Sequence, residues 1–356
     1  MSVLEGSPAV DPAPRTLIVT SRLCDVAADL PRDVVVNEIR RIELFSDGHA
    51  ATIGLRRPDL VIERAAMIRG FAEQAQALGA RVLTGHRFRS LDAAASDLQV
   101  IVERGDGTSE SIRARTVIGA DGAFSRVAIA AGWPRVETVP LVQAIVRLPR
   151  GLAPDTARVW FVPEDTRYFY WLIPESPTHG VVGLIGEDGR ATRVCLERFM
   201  GAHGLEPQRF QAARIPLYTG WIESRRFGAA QVHLVGDAAA HVKVTTVGGM
   251  VTGLRGAAGV VDQIVSGRRR RLRALRGELD RHLLIRRALH RMDQRDYSRL
   301  LELLDPKTVR LLGHHTRDDV HRVLFGLLIT EPRLMWLGLR SLLAGQVFGA
   351  SRSPAV

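Results

Sequence analysis

Apolar residues follow two periodicities along the chain, and each switch between them marks a boundary. Residues 16–20 form a short apolar run of strand length. Residues 34–55 alternate on both sides of Ser46-Asp47-Gly48, which predicts a hairpin. From residue 63 to 78 the apolar side chains return at helical spacing (Ala66, Met67, Phe71, Ala75, Leu78), and Gly79 supplies a stop. Residues 81–85, 98–104 and 109–114 predict a meander of strands, the last two joined through Gly105-Asp106-Gly107. Residues 116–119 predict a short strand that closes on Ala120-Asp121-Gly122. The stretch 137–226 is strand-rich and holds most of the aromatics, as an antiparallel sheet with a pocket would. Residues 232–235 are continuously apolar, the pattern of a buried parallel strand. A glycine-rich turn follows, then a helix from about 248 to 265. Beyond Gly267 the pattern is helical, broken at Asp305-Pro306 and Glu331-Pro332. Residues 1–14 show no period and predict a loose tail, and no internal repeat is visible.

Composition sharpens this picture. With 356 residues, 46% apolar and 24% charged, the chain is globular and large enough for one big domain or several ordinary ones. Its two cysteines exclude a disulfide scaffold and a multi-cysteine metal site, and they suit a reduced, cytoplasmic setting. Cys24 is expected to be a small buried apolar side chain without a catalytic role. The net charge of +11 is almost all arginine, since Lys243 and Lys307 are the only lysines. Residues 1–265 carry 30 basic and 29 acidic side chains, whereas 266–356 carry 19 and 9, so the last quarter holds +10. Residues 1–14 lack the charged start and apolar run of a signal peptide. No apolar run reaches the ~20 residues of a spanning helix. The arginine run at 268–273 reads first as a solvated face and next as a contact for an anionic membrane, with localisation peripheral to its inner face. Few aromatics interleave with these arginines, so nucleic acid is not an expected partner. His314, His315, Asp318, Asp319 and His321 read as a solvated polar face, with His315 and Asp319 sharing a helix side, and no metal site is expected.

The chemistry concentrates in residues 232–257, VHLVGDAAAHVKVTTVGGMVTGLRGA. A buried strand ends at Gly236-Asp237, where a carboxylate can accept hydrogen bonds from ligand hydroxyls. Ala238 and its neighbours leave room for close approach, and Thr245 and Thr246 offer hydroxyls. Gly248 and Gly249 then bring bare backbone to a helix start at Met250, which favours a negatively charged ligand. Lys243 adds to the same field. The string resembles the flavin-binding segment of the geranylgeranyl reductase family of FAD-dependent oxidoreductases, within the fold shared with aromatic-ring hydroxylases. His241-Val242-Lys243, Thr245-Thr246, Gly248-Gly249 and Gly253-Leu254-Arg255 match it, while Val244 and Val247 replace a Pro and a Gly.

The resemblance extends over residues 16–344. Gly119-Ala120-Asp121-Gly122 with Ser125 is similar to the family's second Asp-Gly motif. Arg64, before an apolar helix, is similar to its flavin-contacting arginine, and Phe88 falls where the family supplies a backbone contact to the adenosine side. Phe169-Tyr170-Trp171-Leu172-Ile173-Pro174, with Gly183 beyond, is similar to the reductases' Tyr-x-Trp-x-Phe-Pro motif and to the Trp-x-Trp-x-Ile-Pro motif of flavin-dependent halogenases. Here Phe169, Trp171, Ile173 and Pro174 would wall an apolar substrate pocket. What the chain lacks is the opening G-x-G-x-x-G turn that carries the cofactor's pyrophosphate.

The resemblance therefore implies an α/β fold. It comprises a discontinuous Rossmann-like FAD/NAD(P)-binding domain of aromatic-hydroxylase type, an inserted antiparallel substrate sheet, and C-terminal helices. Residues 15–136 would form a partial FAD-binding domain, with 34–57 lent to the sheet. Residues 137–226 would form the substrate domain, 227–265 the Gly-Asp segment, and 266–356 a basic helical tail. The cofactor would be FAD, with NAD(P)H or another electron donor. The implied activity is reduction of carbon–carbon double bonds in isoprenoid chains, the reduced flavin giving hydride to the alkene. Oxygenation or halogenation, and a non-catalytic paralogue that binds lipid or a partner, are the alternatives. In the parent fold the missing first strand would lie beside residues 232–235, leaving two buried strands with unpaired backbone. A truncated gene product, short by about 50 residues or more, is the expected account, with a short paralogue as its rival.

Overall fold

The computed structural model describes residues 1–28, 31–94 and 96–347. Its largest element is an eight-stranded mixed sheet. Along it run Pro207–Pro216, Thr138–Arg147, His179–Ile185, Tyr170–Pro174, Thr156–Trp160, Val35–Ser46, His49–Glu63 and Thr16–Val19. The expected hairpin is therefore present, turning at Asp47 and Gly48, but its second strand runs on to Glu63. All neighbours are antiparallel except Thr156–Trp160, which lies parallel to Val35–Ser46. The substrate sheet is thus mixed rather than purely antiparallel, and it fuses the expected insert with strands from the first third of the chain.

The two faces of this sheet separate by simple alternation. Tyr170, Leu172, Val182, Leu184, Val142 and Ala144 point one way and pack under the helix Gly189–Ala202, through its Leu196, Phe199 and Met200. Tyr170 stacks on Phe199 with ring centroids 4.2 Å apart. That helix is capped by the Asp188 side chain, which accepts from the backbone of Arg190 and Ala191. Phe169, Trp171, Ile173, Val181, Ile185 and Leu141 belong to the opposite face. Gly183 makes this face possible, because a Cβ there would lie 2.6 Å from the Trp171 ring and 2.7 Å from Gln143.

The helix Arg64–Ala77 starts directly from the long strand, with Glu63 as its cap accepting from Ala65 and Ala66. The meander is displaced by one element from expectation. Its strands are His86–Ala93, Leu98–Arg104 and Ser109–Ala114. Arg81–Leu83 instead pairs in parallel with Ser2–Leu4, so the expected loose tail contains a strand. The cause is local: Gly85 donates to the Ser7 carbonyl and His86 to that of Glu5, which breaks the chain between residues 83 and 86.

Ala230–Leu234 sits between Arg225–Phe227, antiparallel, and Thr116–Gly119, parallel. The antiparallel pairing covers only Ala230–Val232, so among the described residues His233 and Leu234 are paired on the Thr116–Gly119 side alone, and the expected unpaired backbone is present there. Thr116–Gly119 and Arg225–Phe227 are the two edges of this small sheet. The helix Met250–Ser266 then crosses to pack on Arg270–Leu289. The Arg255 guanidinium meets the half-buried-to-buried Glu278 carboxylate at 2.7 Å across that contact.

Residues 270–347 are helical, as expected, and their helices pack onto the rest of the molecule. These helices are Arg270–Leu289, Gln294–Glu302, Pro306–His314, Val320–Thr330 and Pro332–Val347. Leu275 and Leu279 share a core with Tyr218 and Val244. Tyr297 stacks on Phe161 at 4.6 Å, and Pro306–His314 lies against the strand His49–Glu63. His315 and Asp319 fall in the break between two helices, so they share no helix side. Cys24 is exposed, contrary to expectation, because Leu23 takes the buried position of the short helix Arg22–Val26.

Replacing Gly183 by alanine forces Trp171 off the sheet. The Gly183→Ala variant is expected to lose about 1–3 kcal/mol of stability and to shift its tryptophan emission, measured by chemical denaturation followed in fluorescence.

Candidate flavin site

A cavity of about 820 Å³ opens between the second face of the sheet and the Gly-Asp segment. Four stretches wall it. The sheet contributes Phe169, Trp171, Ile173, Val181, Ile185 and Leu141, an apolar wall. The strand 16–20 runs along one side, after Arg15. Arg64, Met67, Ile68 and Phe71 come from the helix that follows Glu63. The opposite wall is Gly236, Asp237, Lys243, Thr246, Gly248, Gly249 and Met250.

The structure thus gathers Arg64, Gly122, Gly236, Asp237, Thr246, Gly248, Gly249, Met250, Phe169, Trp171 and Ile173 around one space. Four other candidates lie off it. Ala238 is buried behind the wall, in the core shared with Val232 and Leu234, and Phe88 packs onto the same core from its strand. The Asp121 carboxylate accepts from Ser125 Oγ and from the backbone N–H groups of Arg126 and Val127, which makes it a brace for the helix Arg126–Ala130. Pro174 ends its strand, and its carbonyl accepts from Asn37 Nδ2 at 2.9 Å. His241 also turns away from the cavity. It is buried and stacked on Trp221 at 5.1 Å, and its Nδ1 has no hydrogen-bond partner among the described residues.

Charge around the cavity is arranged as well as placed. Burial raises the Asp237 carboxyl above the usual range, with the Arg64 guanidinium opposing. Gly249 caps the helix Met250–Ser266 without any side-chain cap, so the first-turn amides at Gly249, Met250 and Val251 stand on the cavity wall. Lys243 is buried beside them and forms an ion pair with Asp318, which also accepts from Thr20 Oγ1. Next to it Arg317 meets Asp59 at 2.6 Å. Burial opposes ionisation of Asp318, yet the Lys243 ammonium and its hydrogen bond hold the carboxyl down at about 2. His282 donates or accepts at Thr245 Oγ1, 2.7 Å away, and burial first, then Lys243, depress it to about 3. Burial alone depresses His241 to about 4.

Asp318 and Arg317 were hidden in the sequence, where they look like part of a solvated His/Asp cluster. The available signal was Lys243 itself: an ammonium inside an otherwise apolar string needs a carboxylate from elsewhere.

The donor set fits a flavin. A carboxylate open to the cavity at Asp237, bare glycine backbone at an uncapped helix start and flanking cations suit a ligand with hydroxyls and a ring edge that gains negative charge. Together with the α/β fold, this arrangement is that of a flavoprotein. The family model for FAD-dependent oxidoreductases matches residues 23–264, and the chain belongs to that family, whose cofactor is FAD. No curated protein matches the chain in sequence. In structure it is similar to a geranylgeranyl bacteriochlorophyll reductase-like protein from Thermoplasma acidophilum, with a TM-score of 0.75 at 16% identity over 95% of this chain and 92% of the other. It is also similar to p-nitrophenol 4-monooxygenase from Pseudomonas putida DLL-E4, at 0.60 and 14% over 99% and 92%. The flavin-dependent halogenase CmlS aligns at 0.57 and 14% over 93% and 66%. These likenesses establish the fold.

Two outcomes follow from the charges. The folded chain keeps His241 and His282 neutral where the unfolded chain protonates them, so stability falls as pH drops from about 6.5 towards 4. Asp318 adds a further loss between its ordinary value and about 2. Unfolding free energy measured against pH should show this slope, and His241→Phe should flatten its upper part. Asp318→Asn strands a buried ammonium and is expected to cost about 3–5 kcal/mol, whereas Lys243→Met with Asp318→Leu recovers most of it in denaturant titrations.

Proposed function

We propose that the chain is an FAD-dependent reductase of carbon–carbon double bonds in isoprenoid chains. The observation that supports this is the apolar wall of Phe169, Trp171, Ile173, Val181, Ile185 and Leu141 facing the Gly-Asp segment across one cavity. These six side chains suit a hydrocarbon chain, and Gln143 and Arg214 also line the sheet side of the cavity. Asp237, Thr246 and the uncapped helix start hold and orient the cofactor from the other side. Arg15 and Arg64 line the space with positive charge, whereas Lys243 and Arg317 are matched by Asp318 and Asp59; the remaining charge favours a ligand that becomes more negative on reduction. Bound FAD supplies hydride transfer, with NAD(P)H or another reductant as its electron source. Oxygenation or halogenation is the second reading, favoured by the Phe169-to-Pro174 string and by the monooxygenase and halogenase structural likenesses.

The test is direct. Purified protein is titrated with FAD, reduced, and supplied with a geranylgeranyl lipid. Saturable cofactor binding and a product heavier by one hydrogen pair per double bond are expected. Protein that stays colourless in excess FAD, or oxygen-dependent NAD(P)H consumption with an oxygenated product, overturns the reading. Asp237→Ala should weaken FAD binding by roughly ten- to a hundredfold in the same titration, the scale of a lost hydrogen bond to a charged group.

A further inference from the structure

The helices Val320–Thr330 and Pro332–Val347 pack against one another and are joined by Glu331 alone. Each carries an exposed apolar stripe at helical spacing. On the first, Phe325, Leu328 and Ile329 are 67%, 56% and 68% exposed. On the second, Trp336, Leu339 and Leu343 are 63%, 46% and 48% exposed. Side chains of this size scattered singly over a surface need no account, but a contiguous set on two adjoining helices marks an interaction surface. Arginines punctuate it: Arg322, Arg333 and Arg340 are exposed on the same two helices, Arg340 in an ion pair with Asp296. Their single acidic residue, Glu331, is buried and held by Arg333 at 2.6 Å.

We propose that this helix pair docks on the surface of an anionic lipid bilayer, lying in the interface rather than crossing it. Among the described residues no helix is long and apolar enough to cross a membrane. Apolar stripes edged by arginine, with an exposed tryptophan at headgroup depth, are the composition of an interfacial helix. Charge selects the occupant. Residues 320–347 carry Arg322, Arg333 and Arg340 against Glu331, a net of +2, so a second copy of the chain would bring like charge against like, whereas anionic headgroups complement it. The loop leading into Val320–Thr330 carries Arg317, a wall residue of the cavity, so the helix pair is tied through the chain to the site. None of this depends on which reaction the cavity performs, or on FAD being bound.

The full-length protein is mixed with phosphatidylcholine vesicles, with and without phosphatidylglycerol, and sedimented at low and high salt. Sedimentation with the anionic vesicles that is lost at high salt is expected. Lipids brominated in the acyl chains should quench tryptophan emission of the wild type, and Trp336→Phe should remove the quenched component while still binding. Phe325→Ser with Ile329→Ser should weaken binding by about tenfold or more, its fold checked by circular dichroism. Failure to sediment, or quenching unchanged in Trp336→Phe, overturns the proposal. So does light scattering that shows a dimer in the wild type and a monomer in the Phe325/Ile329 variant without any lipid binding, which would assign the surface to a second copy.

Discussion

A buried ammonium cannot stand alone, and the position of Lys243 organises much of this molecule. Its carboxylate partner is Asp318, supplied from a loop between two C-terminal helices, 75 residues further along the chain. Asp318 in turn takes the hydroxyl of Thr20, which follows the edge strand of the large sheet. One charge therefore ties together the sheet edge, the Gly-Asp segment and the C-terminal helices. Arg317 repeats the pattern with Asp59 in the neighbouring strand. The desolvation of four charged groups is tolerable only if each finds its counterpart, so the C-terminal helices have to dock where they do. The cavity owes its end wall to this arrangement.

The large sheet works as a partition. Its one face is sealed by the helix Gly189–Ala202, and the other is left as the cavity's apolar wall. Alternation along Tyr170–Pro174 does both jobs at once, since neighbouring residues serve opposite sides. That division explains how an aromatic-rich strand can be core packing and pocket lining together.

Much of this was legible in the sequence, and the reasons for the rest are physical. The Gly-Asp string, the helix after Glu63 and the hairpin at Asp47-Gly48 are local patterns, and local patterns survive without tertiary context. The helix Gly189–Ala202 was passed over in a strand-rich stretch, although Asp188 at its cap and Leu196, Phe199 and Met200 carry a helical period. The strand Ser2–Leu4 is three residues long, too short to show any period. Cys24 and Leu23 differ in which side of one short turn faces inward, which composition does not reveal. At the site, Arg64, Asp237 and the glycines could be placed by motif. Asp121 and Ala238 share those motifs but have structural tasks, bracing a helix and filling a core. Asp318 could not be recognised at all, because its partner is distant in sequence and the residues around it look like an ordinary polar surface.

The scarcity of lysine has a practical side. With arginine carrying nearly all the positive charge, the folded chain offers amine-directed reagents two lysines in opposite states. Lys307 is exposed near the start of the helix Pro306–His314, whereas Lys243 is sealed behind its ion pair. Acylation of Lys243 then requires its ion pair with Asp318 to break first. The chain thereby contains its own chemical gauge: the ratio of label at the two lysines reports how often that pair comes apart.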